Sequence, residues 1–512
     1  MNKLKTVLSS LENYSLLNHF VLVFSWIFLR IFIEGIMEGT HKIGYSFFSY
    51  RAMLMYFIHF PLFYFATFFL VVIIMSIILN KNIIEVTKIA SIGMGLIIIV
   101  PVIDSILCGG CFITYPSRLE KYFLHFLNPF VSLIDIGVST GQRIVIILIC
   151  FFAGLYGYVV RNKFLNGLAT FLFVLLAILF SGGLTTIIAG NRPEEFYITG
   201  GILNTDTQKF SAIYLIFFII VYFAYLYFLD RKEFGILISS MRIPRMAFYG
   251  GAGVCGFILA THNEGNVYKI DLFNFLGILF VFLCPAIGFW VLQILNDFFD
   301  VKIDEISKKC NPILQGIRKR YYCLSGFSLF LIVITMALIL NYQLFLIMSA
   351  FFFLGVIYSV PPVRLKRFPI ISTFILSVAV ILAISSGYSI VFFEKTFEKI
   401  PDSLIFALLS GITIGFSVKD INHIEGDRKD GVLTLPFLLY KKETLSGRLP
   451  FSLILGSSFI FIGIFIPEVL PGSVIAFLGT FFYTFLNRKP KEWFYFLILY
   501  IFSAYLLLSL LF

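Results

Sequence analysis

Residues 272–304 read LFNFLGILFVFLCPAIGFWVLQILNDFFDVKID. An apolar run from Leu272 to Leu295 passes directly into Asn296, Asp297, Asp300 and Asp304. A membrane span needs about 20 apolar residues, and this run supplies them. Carboxylates at the end of such a span are costly and usually carry a function. A second stretch has the same form. The apolar segment before it leads into Lys419-Asp420-Ile421-Asn422-His423-Ile424-Glu425-Gly426-Asp427. Two acidic groups at membrane ends suggest a site for a divalent metal and a diphosphate.

The rest of the chain repeats the apolar half of this pattern. Of 512 residues, 59% are hydrophobic and 13% charged, against about 25% charged in soluble domains. The sequence therefore predicts an all-α polytopic membrane protein. Before residue 231, spans are expected at about 17–36, 57–79, 88–107, 143–161, 165–189 and 211–229. Beyond it they are expected at about 246–261, 272–295, 322–341, 343–360, 369–393, 403–418, 449–467, 471–486 and 493–512. The start, Met1 to Asn18, is mixed polar and has no short apolar core before a small-residue cleavage site, so the first span is expected to be retained.

Leu229-Asp230-Arg231-Lys232-Glu233-Phe234 is charged and separates a region 1–230 from a region 231–512 that holds both acidic clusters. The first region contains nothing like Asn-Asp-x-x-Asp, and its role is unassigned. The net charge of +11 is what a positive-inside bias produces, and no nucleic-acid pattern accompanies it. In the second half of the chain, the loops carrying the clusters, with every second loop, hold most of the cations, among them Lys308, Arg318, Arg364, Lys366, Arg428 and Lys429. Between them lie only Lys269, Lys395 and Lys399. That asymmetry places both clusters on the cytoplasmic side, with the N terminus inside and Phe512 outside. A cell membrane is the expected location.

On a helix at about 100° per residue, Asn296, Asp297, Asp300 and Asp304 fall on roughly one quadrant. Like charges four apart weaken a helix, so this stacking asks for a cation. Oxygen ligands of this kind suit Mg²⁺, shared with substrate phosphates. In the second cluster Asp420, His423 and Asp427 share a face, and Glu425 points elsewhere.

These residues resemble the UbiA-type intramembrane prenyltransferase superfamily. Asn296-Asp297-x-x-Asp300-x-x-x-Asp304 is similar to its first motif, and the stretch ending Glu425-Gly426-Asp427 to its second. Asn311-Pro312-Ile313 with Gly316, the loop Tyr358-Ser359-Val360-Pro361-Pro362-Val363-Arg364-Leu365-Lys366-Arg367, and Thr434-Leu435-Pro436 extend the likeness over about residues 235–512. The resemblance implies a nine-helix bundle, here preceded by six further helices. It implies Mg²⁺-dependent transfer of a prenyl group from a prenyl diphosphate to an aromatic or other lipophilic acceptor in the bilayer. On it, Asp297, Asp300, Arg364 and Lys366 are assigned as catalytic. Asn296, Arg364, Lys366, Lys419 and His423 are assigned to substrate binding, His423 to the diphosphate or the acceptor, and Asn296, Asp300, Asp304, Asp420 and Asp427 to the metal.

Two positions depart from the pattern. His423 stands where the family has Asp, and imidazole is a poor Mg²⁺ ligand. Asn311 stands where it has Arg, which removes a cationic contact. Two other readings stay open at this level. One is a transporter, for which Asp104 and Asp135 near span ends of residues 1–230 are the hints. The other is a relative that binds prenyl lipid without turnover.

Overall fold

The computed structural model describes residues 15–37, 49–108, 115–116, 119–126, 137–188, 196, 198–269, 271–306, 310–421, 434–441, 443–488 and 490–511. Among these residues there is no strand, and 15 helices are long and apolar enough to cross a membrane. They are α1 (Leu16–Met37), α2 (Tyr50–Leu79), α3 (Ile83–Leu107), α4 (Thr140–Arg161), α5 (Phe164–Ile188), α6 (Asp206–Leu229), α7 (Ile243–Glu264), α8 (Leu272–Phe299), α9 (Lys319–Leu340), α10 (Tyr342–Ser359), α11 (Ile371–Val391), α12 (Asp402–Lys419), α13 (Leu445–Phe465), α14 (Pro467–Leu486) and α15 (Glu492–Leu511). The expected all-α membrane architecture and its span count hold. Helices α2 and α3 begin at Tyr50 and Ile83 rather than near 57 and 88. Their first turns carry Arg51 and Glu85, which a hydropathy reading counts as loop although a charged residue sits comfortably at a helix end.

The chain forms two compact units, Met1–Arg231 and Lys232–Phe512. In the first, α1–α6 enclose an aliphatic and aromatic core that includes Val23, Ile27, Val72 and Tyr225. The Phe69 and Tyr225 rings lie 4.8 Å apart. Several polar groups are buried there, and two arrangements involve its acidic residues. Arg30 donates to Glu34 at 2.6 Å one turn along α1 and stacks on the Tyr64 ring at 5.1 Å. Asp104 accepts from the Ser139 hydroxyl at 2.5 Å and the Gly141 amide at 2.8 Å. A carboxylate at a helix N-terminus satisfies amides that have no partner within the helix. Asp104 thus has a structural role at the start of α4. Asp135 lies outside the described residues.

In the second unit, α9 and α10 are joined by Asn341 alone. Its backbone amide closes α9 on Ala337, and its side chain accepts from the Leu344 amide at 2.7 Å to start α10. One residue thus serves as both caps, which lets two spans follow almost without a turn. Helices α7 and α11 meet backbone to backbone. A Cβ on Gly256 would lie 2.1 Å from the Ile384 carbonyl oxygen, and one on Gly387 would lie 2.1 Å from the Gly253 carbonyl oxygen. With lipid as solvent there is little hydrophobic drive between helices, and such small-residue seams gain their stability from close packing.

Candidate active site

Helix α8 runs to Phe299, and Asp300 leaves helical geometry at φ −98°, ψ 4°. A short helix, Val301–Ile306, then restarts the chain. The acidic cluster therefore straddles a break. Asp297, Asp300 and Asp304 are all buried, at 1%, 5% and 2% exposure. Burying a carboxylate is tolerated only with partners, and each has its own.

Asp300 is the most heavily partnered. Arg364 donates to Asp300 Oδ1 at 2.6 Å. Lys366 pairs with Asp300 Oδ2, which also accepts from the Asn296 amide at 2.8 Å. Asn296 Oδ1 in turn accepts from Lys366 Nζ at 2.9 Å and from the Ser359 hydroxyl at 3.2 Å. The basic loop after α10 delivers these cations. It contains a cis Pro361–Pro362 peptide, then Arg364 in the left-handed region at φ 38°, ψ 59°, then a short 3₁₀ turn, Leu365–Arg367. A non-glycine residue pays for that conformation. It is adopted where the guanidinium meets Asp300.

Asp304 accepts from the Asn311 amide at 2.8 Å, and the same Nδ2 group donates to the Asp297 carbonyl at 2.8 Å. Asn311 is fully buried. In place of a cation, it ties the start of the loop after Ile306 to both ends of the cluster. Behind it, Glu233 accepts from the Arg318 backbone amide at 2.9 Å and pairs with its guanidinium at 2.6 Å.

Asp297 differs from the expectation of a common face. It accepts from the Tyr322 hydroxyl at 3.0 Å and lies 3.7 Å from Arg242. It does not line the cavity on which Asn296, Asp300 and Asp304 open. Asp297 follows Asn296 on the unbroken part of α8, about 100° further around the helix, so its side chain meets Tyr322 while Asn296 opens on the cavity.

That cavity has a volume of about 250 Å³. At its polar end stand Asn296, Asp300, Asp304, Lys366, Lys419 and, from the start of α7 and α15, Arg242, Arg245 and Glu492. Its other walls are apolar and aromatic, with Phe248, Tyr249, Phe289, Phe351 and Phe416. Lys419 donates to the Tyr358 hydroxyl at 2.5 Å and lies over that ring. Burial and the neighbouring Arg245 hold the Arg242 guanidinium below its ordinary pKa, against the opposing pull of Asp297.

The second cluster is only partly visible. The Asp420 backbone ends the 3₁₀ turn that closes α12, while its side chain, His423 and Asp427 lie outside the described residues. Among the described residues no three His, Cys, Asp or Glu side chains form a ready metal cage. Arg242, Arg245, Glu492 and Tyr322 were not singled out from sequence, and Tyr358 was quoted only as the start of the basic loop motif. Arg242 and Arg245 were legible only as two cations flanking the start of a span, which membrane orientation alone explains.

The UbiA prenyltransferase family profile matches residues 251–506. The chain belongs to the UbiA prenyltransferase family. It is 28% identical over 211 residues to the digeranylgeranylglyceryl phosphate synthase of Pyrococcus horikoshii, covering 40% of this chain and 70% of that one. It is 31% identical over 159 residues to a probable chloroplastic homogentisate phytyltransferase 2 of Oryza sativa subsp. japonica, covering 28% of this chain and 39% of that one. A solved UbiA homolog from Archaeoglobus fulgidus, bound to DMAPP and Mg²⁺, aligns with 52% of this chain and 96% of its own at 18% identity and a TM-score of 0.37. The family match falls within the second compact unit, which holds the cavity and all the cluster residues described above.

Proposed function

We propose that this protein transfers a prenyl group from an isoprenoid diphosphate to an aromatic or other lipophilic acceptor within the membrane, with Mg²⁺ as cofactor. The observation that carries the reading is the single cavity joining Asn296, Asp300 and Lys366 to the Phe289 and Phe351 rings. One end suits a charged diphosphate and the other an isoprenoid chain.

The described donors suit Mg²⁺ in kind, being oxygen atoms of Asn296, Asp300 and Asp304 on one cavity. Asp420 and Asp427 are the donors proposed for the second cluster. Magnesium, when bound, supplies Lewis-acid stabilisation of the leaving diphosphate. The chain's own residues do the rest. Lys366, now held by Asp300 and Asn296, is drawn to the phosphate oxygens, together with Lys419. Arg364 stays on Asp300 and keeps that carboxylate oriented. As the C–O bond breaks, the negative charge that develops on the leaving oxygen meets cations already in place, so little reorganisation is required. Phe289, Phe351 and Tyr249 line the chain and exclude water from the allylic cation, and their faces attract positive charge. The acceptor then forms the new bond to that carbon and loses a proton, which the released diphosphate can take. His423 and Asp297 enter as a candidate diphosphate or acceptor contact and as a positioning carboxylate, respectively.

The charge pattern supports a cytoplasmic mouth, an internal N terminus, an external C terminus and a cell-membrane location. Region 1–230 is proposed as a separate membrane domain whose role is unassigned.

The test uses the full chain, purified in lipid nanodiscs, with geranylgeranyl diphosphate, Mg²⁺ and a lipid extract as acceptor. Diphosphate release that requires Mg²⁺, and a prenylated lipid by mass spectrometry, are expected. Binding of the diphosphate with no release and no new lipid would refute turnover.

A further inference from the structure

The cavity ends at a similar depth on several helices. On α7 its lining runs from Arg242 to Tyr249, and on α8 from Asn296 to Phe289. Each is a step of about 10 Å along the helix axis. On α10 the lining runs from Ser359 to Phe351, a step of about 12 Å. On α11 the deepest lining residue is Ala379. The three aromatic side chains at this level meet one another. The Tyr249 and Phe289 rings stack with centroids 5.1 Å apart, and the Phe351 ring meets Tyr249 edge-on at 5.7 Å.

Beneath them the helices close. Gly253 lies one turn below Tyr249, and a Cβ there would stand 2.9 Å from the Val281 carbonyl oxygen and 3.3 Å from the Pro285 ring. Met348 lies one turn below Phe351, and its methyl group would stand 3.0 Å from a Cβ on Gly288. Packing this close admits no further methylene without strain. The cavity therefore stops at a floor and does not taper into a channel.

We propose that this floor, formed by Tyr249, Phe289, Phe351 and Ala379, sets the prenyl length that the protein prefers. With the diphosphate at the level of Asn296, Ser359 and Lys366, about 10 Å of depth is left for hydrocarbon. An extended isoprene unit advances four carbon–carbon bonds, about 5 Å. Two units fill the depth, so the preferred donor is a ten-carbon prenyl diphosphate. The further units of a longer donor have to turn aside between helices, and they lose the burial that the first two gain. The inference rests on the prenyl-transfer reading and adds to it the donor length and the residues that set it.

The experiment uses the full chain in nanodiscs with Mg²⁺ and a lipid extract. Diphosphate release gives kcat/KM for dimethylallyl, geranyl, farnesyl and geranylgeranyl diphosphates. Calorimetry gives the affinities of their non-reactive thiolodiphosphates. In the wild type both series peak at geranyl. The two longer donors still react, at least about tenfold less efficiently, as expected for a chain segment that the site has no room to seat. Phe351→Leu lowers the floor and Phe351→Ala lowers it further, so the farnesyl-to-geranyl ratio rises in that order. Ala379→Leu raises the floor and reduces the geranyl-to-dimethylallyl ratio. Shifts in opposite directions separate a change of depth from a general loss of folding. Use of geranylgeranyl diphosphate equal to or better than geranyl in the wild type overturns the inference. So does a length profile that none of the three variants moves. Absence of diphosphate release with all four donors sinks the prenyl-transfer reading instead, and the thiolodiphosphate affinities still report on the floor.

Discussion

Arg364 reaches Asp300 at 2.6 Å from a left-handed backbone conformation. Both side chains are buried, so the carboxylate has exchanged water for this contact and for Lys366. Breaking a buried pair from one side leaves the other charge exposed to a poor solvent. Asp300→Ala is expected to lower turnover at least about a hundredfold and to cost about 3 kcal/mol of stability. Arg364→Ala is milder, because Lys366 remains on Asp300. The Asp300→Ala/Arg364→Ala double variant should be more stable than the sum of the two predicts, since Arg364 is no longer left buried without its carboxylate, although Lys366 still loses Asp300. Thermal unfolding of the four proteins checks this, and strict additivity would argue against the pair.

Lys366 occupies the carboxylate that the metal is proposed to share. Mg²⁺ alone is therefore expected to bind weakly, and to bind at least about tenfold more tightly once a non-reactive prenyl thiolodiphosphate draws Lys366 away, a coupling of about 1.4 kcal/mol. Lys366→Gln frees Asp300. It should strengthen Mg²⁺ binding in the absence of substrate while weakening the analogue. Calorimetric titration in both orders measures this. Equal Mg²⁺ affinity with and without the analogue would contradict it.

Tyr322 donates to Asp297, and neither is among the residues that line the cavity. Tyr322→Phe removes that donor from a buried carboxylate and is expected to cost about 1–3 kcal/mol of stability. Because Asp297 does not line the cavity, KM for the prenyl diphosphate should change little. A large rise in that KM with unchanged melting would instead place Asp297 on the substrate.

Asn311 holds Asp304 and the Asp297 carbonyl through one amide group. Asn311→Asp replaces that donor with a second carboxylate in a fully buried position. Two such groups favour sharing one proton, which raises an apparent pKa of the pair. The variant is expected to be strongly destabilised at neutral pH and to regain stability as pH falls, when a shared proton restores the hydrogen bond. Melting temperatures across pH measure it. A deficit that does not shrink toward acid would mean that the amide is not acting as a donor to Asp304.

The spans were legible because a bilayer imposes one length on every helix, and runs such as 272–295 satisfy it with little ambiguity. Asn296, Asp300, Asp304, Lys366 and Lys419 were legible as a group because their residue types make sense together. Asp297 was grouped with the others because a quadrant of the wheel is broad enough to include a side chain about 100° from Asn296, and on α8 that angle takes it off the cavity. Arg242 and Arg245 escaped because a cation at a span end has a sufficient bland explanation. The value of Asn311 was also hidden. Its loss of charge was visible in the sequence, but the three-way tie it makes depends on a loop that returns to the end of α8. The apolar residues gave no hint of which would line the cavity, since Phe faces lipid and ligand alike.

The glycine seam between α7 and α11 has a bearing on traffic. Side chains that pack like cogs leave room to slip, whereas two backbones in contact leave none. One side of the cavity is thus a fixed jamb. A branched or bulky lipid is expected to enter elsewhere around the bundle rather than between these two helices. The residues that set the pace of entry should be sought on those other helices, well away from Gly253, Gly256 and Gly387.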